Sequence, residues 1–150
     1  MRMVLTLALG VALAAPLLAS EPRPTKSEFL VSTSAGFLFD EGRGAYYGMH
    51  YAVRKPFPGT VYGVALFDNP EDSAAPLRVE TIIDPEAKDI QLQSPAVHVL
   101  TNGKLYNSQL MLYTDAEHTH LLSTHSQAVL FKVPMQLATQ ISVRYGVAVR

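Results

Sequence analysis

Short apolar segments rich in Val, Ile, Leu, Phe and Tyr follow one another along most of the chain, separated by Pro, Gly, Asn and Asp. β-branched and aromatic residues favour strands, whereas the separating residues favour turns. We predict seven strands, at residues 28–33, 45–54, 60–67, 77–83, 89–93, 104–114 and 121–131. Because no helical period lies between these segments, the pattern predicts an all-β antiparallel sandwich over residues 28–131 rather than alternating βαβ units.

Alternation within the strands predicts which side chains enter the core. We expect inward-facing sets at Tyr62, Val64 and Leu66 in the third strand, at Tyr106, Leu110 and Leu112 in the sixth, and at Thr124, Ala128 and Leu130 in the seventh. The outer side of the same sheet then carries His125 and an apolar set consisting of Phe67, Met111, Tyr113, Val129 and Phe131. Apolar patches of this kind usually mark contact surfaces, so these five residues are the candidate protein-contact surface.

The tail, residues 132–150, has a different pattern. Pro134 suits a helix start, and Gly146 suits a helix end. Between them lie apolar residues spaced three and four apart, at Leu137, Ala138, Ile141 and Tyr145. We expect a short helix that folds back over the apolar patch, with a protein partner, a second copy of the chain or an apolar ligand as the alternative cover. An eighth strand through residues 141–149 and an irregular tail also stay open, because Val143 and its β-branched neighbours are poor helix formers.

Residues 1–20 have the composition of a secretory signal, with Arg2 ahead of an apolar run that ends at Leu18 and is followed by small Ala19 and Ser20. The run is short beside the roughly 20 residues that a membrane-spanning helix needs. We therefore expect cleavage near Ser20 or Glu21, export to the periplasm or the medium, and no lasting membrane insertion. The proline-rich residues 21–27 are expected to form an extended tether ahead of the sandwich.

Composition and charge narrow the classes of partner and chemistry. Hydrophobic residues make up 48% of the chain, a share that falls to an ordinary value for a soluble domain once the signal is set aside. Without Arg2 the chain has 11 basic and 13 acidic side chains with interspersed signs, which argues against nucleic acid and anionic membranes as partners. The chain contains no cysteine, so neither disulfides nor thiol chemistry enters its stability or its function.

The segment 100–106 suggests a fold family. Leu100, the turn glycine Gly103 and Tyr106 precede an alternating strand, and this arrangement resembles the tyrosine corner of immunoglobulin-like and fibronectin type III sandwiches. The resemblance implies a seven-stranded immunoglobulin-like antiparallel sandwich in which the Tyr106 hydroxyl bonds to backbone a few residues upstream. The chain has no tryptophan and no cysteine pair, which sets it apart from antibody domains. The fold class implies no particular activity.

A polar turn near the end of the sandwich holds the candidate metal ligands. His118 and His120 are two residues apart, so in an extended segment both imidazoles project to the same side. Asp115, Glu117 or His125 would then complete a zinc or copper site, although an ordinary polar turn is the simpler interpretation. Apart from this copper or zinc alternative, we expect no cofactor.

Catalytic arrangements are weakly represented. Ser126 adjoins His125, but neighbouring strand residues point to opposite faces, and no glycine-flanked serine elbow occurs. We therefore expect a soluble, non-enzymatic binding or accessory protein that uses its apolar outer sheet face or its loops to contact a protein partner or to assemble into a homo-oligomer. A metal-binding protein that uses His118 and His120 is the second hypothesis, and a small hydrolase is the third.

Overall fold

The computed structural model describes residues 25–150. The predicted signal at residues 1–20 and the first four residues of the predicted tether lie outside the described residues. None of the helices in the described part is long and apolar enough to span a membrane.

The described chain forms strands and one helix, which confirms the predicted all-β class and the short C-terminal helix. Within residues 25–150 there are nine strands rather than seven, because two short strands accompany the main ones. The elements are β1 (Leu30–Asp40), β2 (Gly44–Val53), β3 (Val61–Phe67), β4 (Leu77–Ile83), β5 (Asp89–Gln93), β6 (Val99–Leu100), β7 (Lys104–Tyr113), β8 (Leu121–Phe131), α1 (Met135–Tyr145) and β9 (Ala148–Val149).

Two antiparallel sheets make up most of the fold. One has the strand order β1-β2-β5, and the other has the order β4-β3-β7-β8. The short strands β6 and β9 pair in parallel and tie the end of the tail to the segment ahead of β7. The buried apolar side chains of both large sheets form one core cluster, so the two sheets pack face to face.

Turn residues explain how the long strands are joined. Gly42, between β1 and β2, and Gly44, the first residue of β2, have positive φ angles of 72° and 109°, which glycine adopts without a steric penalty. The strand β1 continues well beyond the predicted end at residue 33, because after a bulge between Ser32 and Ser34 it stays paired with β2 as far as Asp40.

Five aromatic rings from five strands meet between the sheets. Tyr47 lies 5.0 Å from Phe67 across the sandwich and 4.6 Å from Phe37 beside it, measured between ring centroids. Phe37 also packs edge-on against Tyr106 and Phe131, at 5.6 Å and 5.5 Å. Offset and edge-on ring pairs add stabilisation beyond the apolar area that they bury. Burial also raises the pKa of Tyr47, whose hydroxyl donates a hydrogen bond to the Asp68 carbonyl at 2.7 Å.

The hydrogen bond expected at the tyrosine corner is present. The backbone N–H of Thr101 donates to the Tyr106 hydroxyl at 2.8 Å. Leu100 and Tyr106 are fully buried, and Gly103 has a φ angle of 79° in the turn between them. This contact fixes the path of the chain as it enters β7.

The predicted facing of β3 and β8 is wrong. Phe67 is 1% exposed and faces the core, as do His125, Val129 and Phe131. In β3 both alternating sets are apolar, so the pattern did not distinguish them, and the contact between Phe67 and Tyr47 decides which set is inside. In β8 the contact between Phe131 and Phe37 plays the same part.

The helix α1 covers one end of the sandwich rather than its outer face. Ala138 and Ile141 are buried, and the Tyr145 ring lies 5.5 Å from Phe39 near the end of β1. Gly146 ends the helix in the left-handed conformation, as predicted. The alternative prediction is a strand through residues 141–149. Only its last residues form a strand, which is β9 at Ala148–Val149.

The tyrosine corner can be tested by changing Tyr106 to Phe. The variant keeps the ring but removes the partly buried hydrogen bond to the Thr101 N–H, and loss of one such bond typically destabilises a protein by about 0.5–1.5 kcal/mol. We expect a loss of this size in the free energy of unfolding, measured by urea denaturation. The matched control is Tyr62→Phe on the outer side of the adjacent strand, and an equal loss in both variants would contradict a specific role for the corner.

Candidate functional site

The outer face of the four-stranded sheet carries rows of apolar side chains. Tyr62 of β3 is opposite Ile82 of β4 and Tyr113 of β7, and Tyr113 is in turn opposite Leu121 of β8. In the next rows Val64 is opposite Met111, and Leu66 is opposite Gln109. Both of these rows end in polar residues, Glu80 and Thr124 in one and Arg78 and Ser126 in the other. We call the set Tyr62, Leu66, Ile82, Met111, Tyr113 and Leu121 the contact face.

The contact face is apolar and accessible. Ile82 is 72% exposed, and Leu121 is also exposed at the opposite edge of the row. Val64, on the same outer side, is only 1% exposed although it is not part of the central core cluster. The neighbouring side chains on the face therefore form a layer thick enough to bury it.

Local contacts hold the aromatic part of the face in position. The Tyr113 hydroxyl donates to the Met111 sulfur at 3.5 Å, and the His118 ring lies 5.1 Å from the Tyr113 ring. The turn between β7 and β8 thus borders the face and restricts the movement of Tyr113.

A groove of about 480 Å³ continues the face toward the other end of the sheet. Its walls include Leu66, Pro76 and Ala128, together with the polar side chains of Asn107 and Gln109. Beyond the groove, Leu105 and Leu130 form an exposed cross-strand pair. Apolar surface is therefore present at both ends of this sheet face.

Charges on this side are paired with nearby groups. The Arg78 guanidinium lies 2.6 Å from the Glu80 carboxylate at the β4 edge, and its hydrogen bond lowers the pKa of Glu80. The Asp68 carboxylate accepts two hydrogen bonds from Asn107, from the backbone N–H and from the side-chain amide. Neither carboxylate therefore presents a strong isolated charge to a partner.

The structure retains only part of the sequence-predicted contact surface. Met111 and Tyr113 lie on the outer face, whereas Phe67, Val129 and Phe131 belong to the core. Sequence reasoning missed Ile82, although a usable signal existed. Ile82 lies on the same side of β4 as Arg78 and Glu80, because the three residues are spaced two apart. The two charged residues already mark that side as outward.

Of the predicted metal ligands, Asp115 and His120 come together, with His120 Nδ1 3.3 Å from Asp115 Oδ1, but the set as a whole does not converge. His118 lies in the turn with a φ angle of 57°, so residues 118–120 are not the extended segment that would turn both imidazoles to one side. The Asp115 carboxylate accepts hydrogen bonds from the Thr119 hydroxyl and the Thr119 and His120 N–H groups, which hold its pKa well below the usual range. Within residues 25–150 no group of three or more His, Asp or Glu side chains is arranged to hold a metal ion, and Glu117 is simply exposed.

His125 lies in the core instead, next to the start of the described chain. It is 7% exposed, and its Nδ1 accepts a hydrogen bond from the Ser27 N–H at 3.3 Å. The Thr25 carbonyl accepts from the Ser126 N–H at 2.7 Å, and the Ser123 and Ser27 hydroxyls are 2.7 Å apart. Residues 25–27, predicted as part of a tether, are therefore bound along the β8 edge.

The chain matches no known protein-family model and no curated protein. A proposed function therefore depends on the geometry of residues 25–150.

The buried His125 predicts a pH dependence of stability. Burial lowers its pKa and Lys26 lowers it further, while a hydrogen bond with Gln127 acts in the opposite direction. The unfolded chain, with a histidine pKa of about 6.5, then binds the proton more readily than the folded chain. We expect the free energy of unfolding to fall as the pH drops below about 6.5, until the pH passes the folded-state pKa.

This dependence is measured by urea denaturation between pH 7.5 and pH 5, buffer values chosen to bracket an ordinary histidine pKa of about 6.5. The variant His125→Gln should flatten the curve in this window, whereas the exposed control His120→Gln should retain the loss. A His125→Gln curve parallel to the wild-type curve would show that another group is responsible.

Proposed function

We propose that this protein is an exported, non-enzymatic binding module with an immunoglobulin-like or fibronectin type III-like sandwich, and that the contact face binds a protein partner. The strand arrangement supports the family assignment. Three strands, β1-β2-β5, pack against four, β4-β3-β7-β8, which corresponds to an A-B-E sheet on a C′-C-F-G sheet.

The tyrosine corner supports the same assignment. Tyr106 begins the strand that takes the F position, and its hydroxyl accepts the upstream Thr101 N–H. The architecture carries no activity of its own, so the function has to reside in a surface.

The observation that carries the functional proposal is an apolar, aromatic sheet face that the described chain leaves open. The tail was the segment expected to cover it, but α1 packs near Phe39 instead. Monomeric proteins rarely leave contiguous apolar patches exposed unless another molecule covers them. Tyrosine and methionine are also among the residues enriched in protein interfaces.

The size of the face shows how far a protein interface on this sheet has to extend. Four strands of about seven residues span roughly 19 Å by 23 Å at ordinary strand spacing and rise. A stable protein interface buries about 800 Å² on each partner, which is more than so small a rectangle supplies. We therefore expect the interface to extend over the groove and onto Leu105 and Leu130.

The proposal predicts that central face residues dominate the affinity. Tyr62→Ala and Ile82→Arg alter the face without touching the core, and loss of an interface hot spot of about 2 kcal/mol weakens binding roughly 30-fold. The measurement is affinity capture from an extract of exported proteins, followed by titration of the captured protein against each variant.

The matched control is Val143→Arg, which introduces the same charge at an exposed apolar residue of α1. Capture that survives Val143→Arg and is lost with Tyr62→Ala and Ile82→Arg supports the proposal. Equal capture by all variants, or no specific partner at all, contradicts it. Sedimentation analysis tests whether the protein forms a homodimer. If Ile82→Arg dissociates such a dimer, a second copy of the chain occupies the contact face, and the proposal of a different protein partner is overturned.

Export is tested separately. Mass spectrometry of the protein recovered from its producing cell should give a chain that begins near Ser20 or Glu21. Recovery of the intact chain with Met1 from the cytoplasm would contradict export without bearing on the contact face.

A further inference from the structure

A shallow trough lies on the outer face of the other sheet, formed by β1, β2 and β5. Gly36 of β1 is opposite Gly48 of β2, and Gly48 is opposite Gln93 of β5. The trough has a volume of about 610 Å³. It lies on the opposite side of the sandwich from the contact face and is independent of the function proposed above.

Backbone conformation does not require glycine in the floor of the trough. Neither Gly36 nor Gly48 has a positive φ angle, so the backbone at both positions would accept other residues. A Cβ atom at Gly63 in β3 would lie 2.9 Å from the Thr81 side chain, so packing explains that glycine. A Cβ atom at Gly36 would meet nothing within 4 Å.

Glycine inside a strand is destabilising by roughly 0.5–1 kcal/mol relative to alanine and often marks a close approach by a ligand. At Gly48 the space is occupied by Leu38, whose Cδ1 would lie 2.8 Å from an added Cβ. The trough therefore has an open apolar floor that consists of glycine backbone and the Leu38 side chain.

Polar groups stand along one side of this floor. His50 is opposite Ser34 on β1 and Gln91 on β5, and Gln93 lies two residues further along β5 on the same side. The His50 Nε2 atom is shielded from solvent and has no hydrogen-bond partner within the described chain. Its nearest carboxylate oxygen, on Asp89, is 3.6 Å away, beyond hydrogen-bond distance.

The two carboxamides are also free to bind. Gln91 and Gln93 are exposed, and within residues 25–150 neither side chain has a hydrogen-bond partner. Each carboxamide offers a donor and an acceptor, as do a hydroxyl and a neutral imidazole. A row of such groups matches a ligand whose own groups both donate and accept, which is the property of a sugar hydroxyl.

Charge narrows the ligand class further. The residues that line the trough include no lysine or arginine, and the acidic Asp89 is adjacent to His50. An anionic ligand would find no cation to compensate its desolvation. A pyranose ring has an apolar C–H face and a rim of hydroxyls, so it fits a floor of glycine and leucine bordered by polar groups.

We infer that this trough is a binding site for a neutral saccharide. One face of the ring lies on Gly36 and on the Leu38 side chain that covers Gly48, and the hydroxyls at its edge bond to Gln91 and Gln93, with His50 beside them. Binding at so shallow a site is weak, with a dissociation constant on the order of 1 mM for a single short oligosaccharide.

The test is an NMR titration of the ¹⁵N-labelled protein with maltotetraose, cellotetraose and chitotetraose. We expect one of these probes to shift the amide signals of Gly36, Gly48 and Gln91. Gly36→Val places a Cβ atom where nothing lies within 4 Å, so the side chain extends into the trough, and it should weaken binding by at least about tenfold, which corresponds to 1.4 kcal/mol. Gln91→Ala and Gln93→Ala should each weaken it to a smaller extent.

The matched control is Gly59→Val, because a Cβ atom at Gly59 also meets nothing within 4 Å and this residue lies outside the trough. Retained binding in Gly59→Val and loss in Gly36→Val supports the inference. Absence of shifts with all three probes, or binding that Gly36→Val leaves unchanged, overturns it. Tighter binding of an anionic saccharide such as heparin tetrasaccharide would also overturn it, and none of these results depends on the partner of the contact face.

Discussion

The fold depends on aromatic packing between two sheets that no disulfide joins. Phe37 and Tyr47 come from one sheet, and Phe67, Tyr106 and Phe131 come from the other. Their rings touch in a continuous cluster, and two phenols also bond to backbone, Tyr47 to the Asp68 carbonyl and Tyr106 to the Thr101 N–H. A chain without cysteine has to obtain its stability from a core of this kind.

Because the core joins only the inner faces, both outer faces are free to differ in chemistry. The four-stranded sheet presents Tyr62, Ile82 and Tyr113, whereas the three-stranded sheet presents glycine backbone beside Gln91 and Gln93. An aromatic face suits a protein surface, and a glycine floor with amide borders suits a small polar ring. One sandwich thus offers two separate surfaces without any change to its core.

Sequence patterns predicted the strands well where one face of a strand is polar. In β7, Asn107 and Gln109 lie on the outer side, and the expected inward-facing set Tyr106, Leu110 and Leu112 is buried. The prediction failed in β3, where both faces are apolar, and in β8, where His125 enters the core. The partner that satisfies His125 is Ser27, 98 residues away, so no local pattern reveals it. The two-residue strands β6 and β9 depend equally on long-range pairing.

The sheet edges explain why contact through the faces is favoured over addition of a strand. Unpaired edge strands are templates for pairing with another chain unless something blocks them. Here β1 has a bulge after Ser32, β5 is only five residues long, and β4 carries Arg78 and Glu80. At the fourth edge, the Thr25 carbonyl already accepts the Ser126 N–H of β8. Each edge strand of the two large sheets is therefore short, charged, bulged or already hydrogen-bonded to another segment. The broad outer faces are the sheet surfaces that remain for recognition.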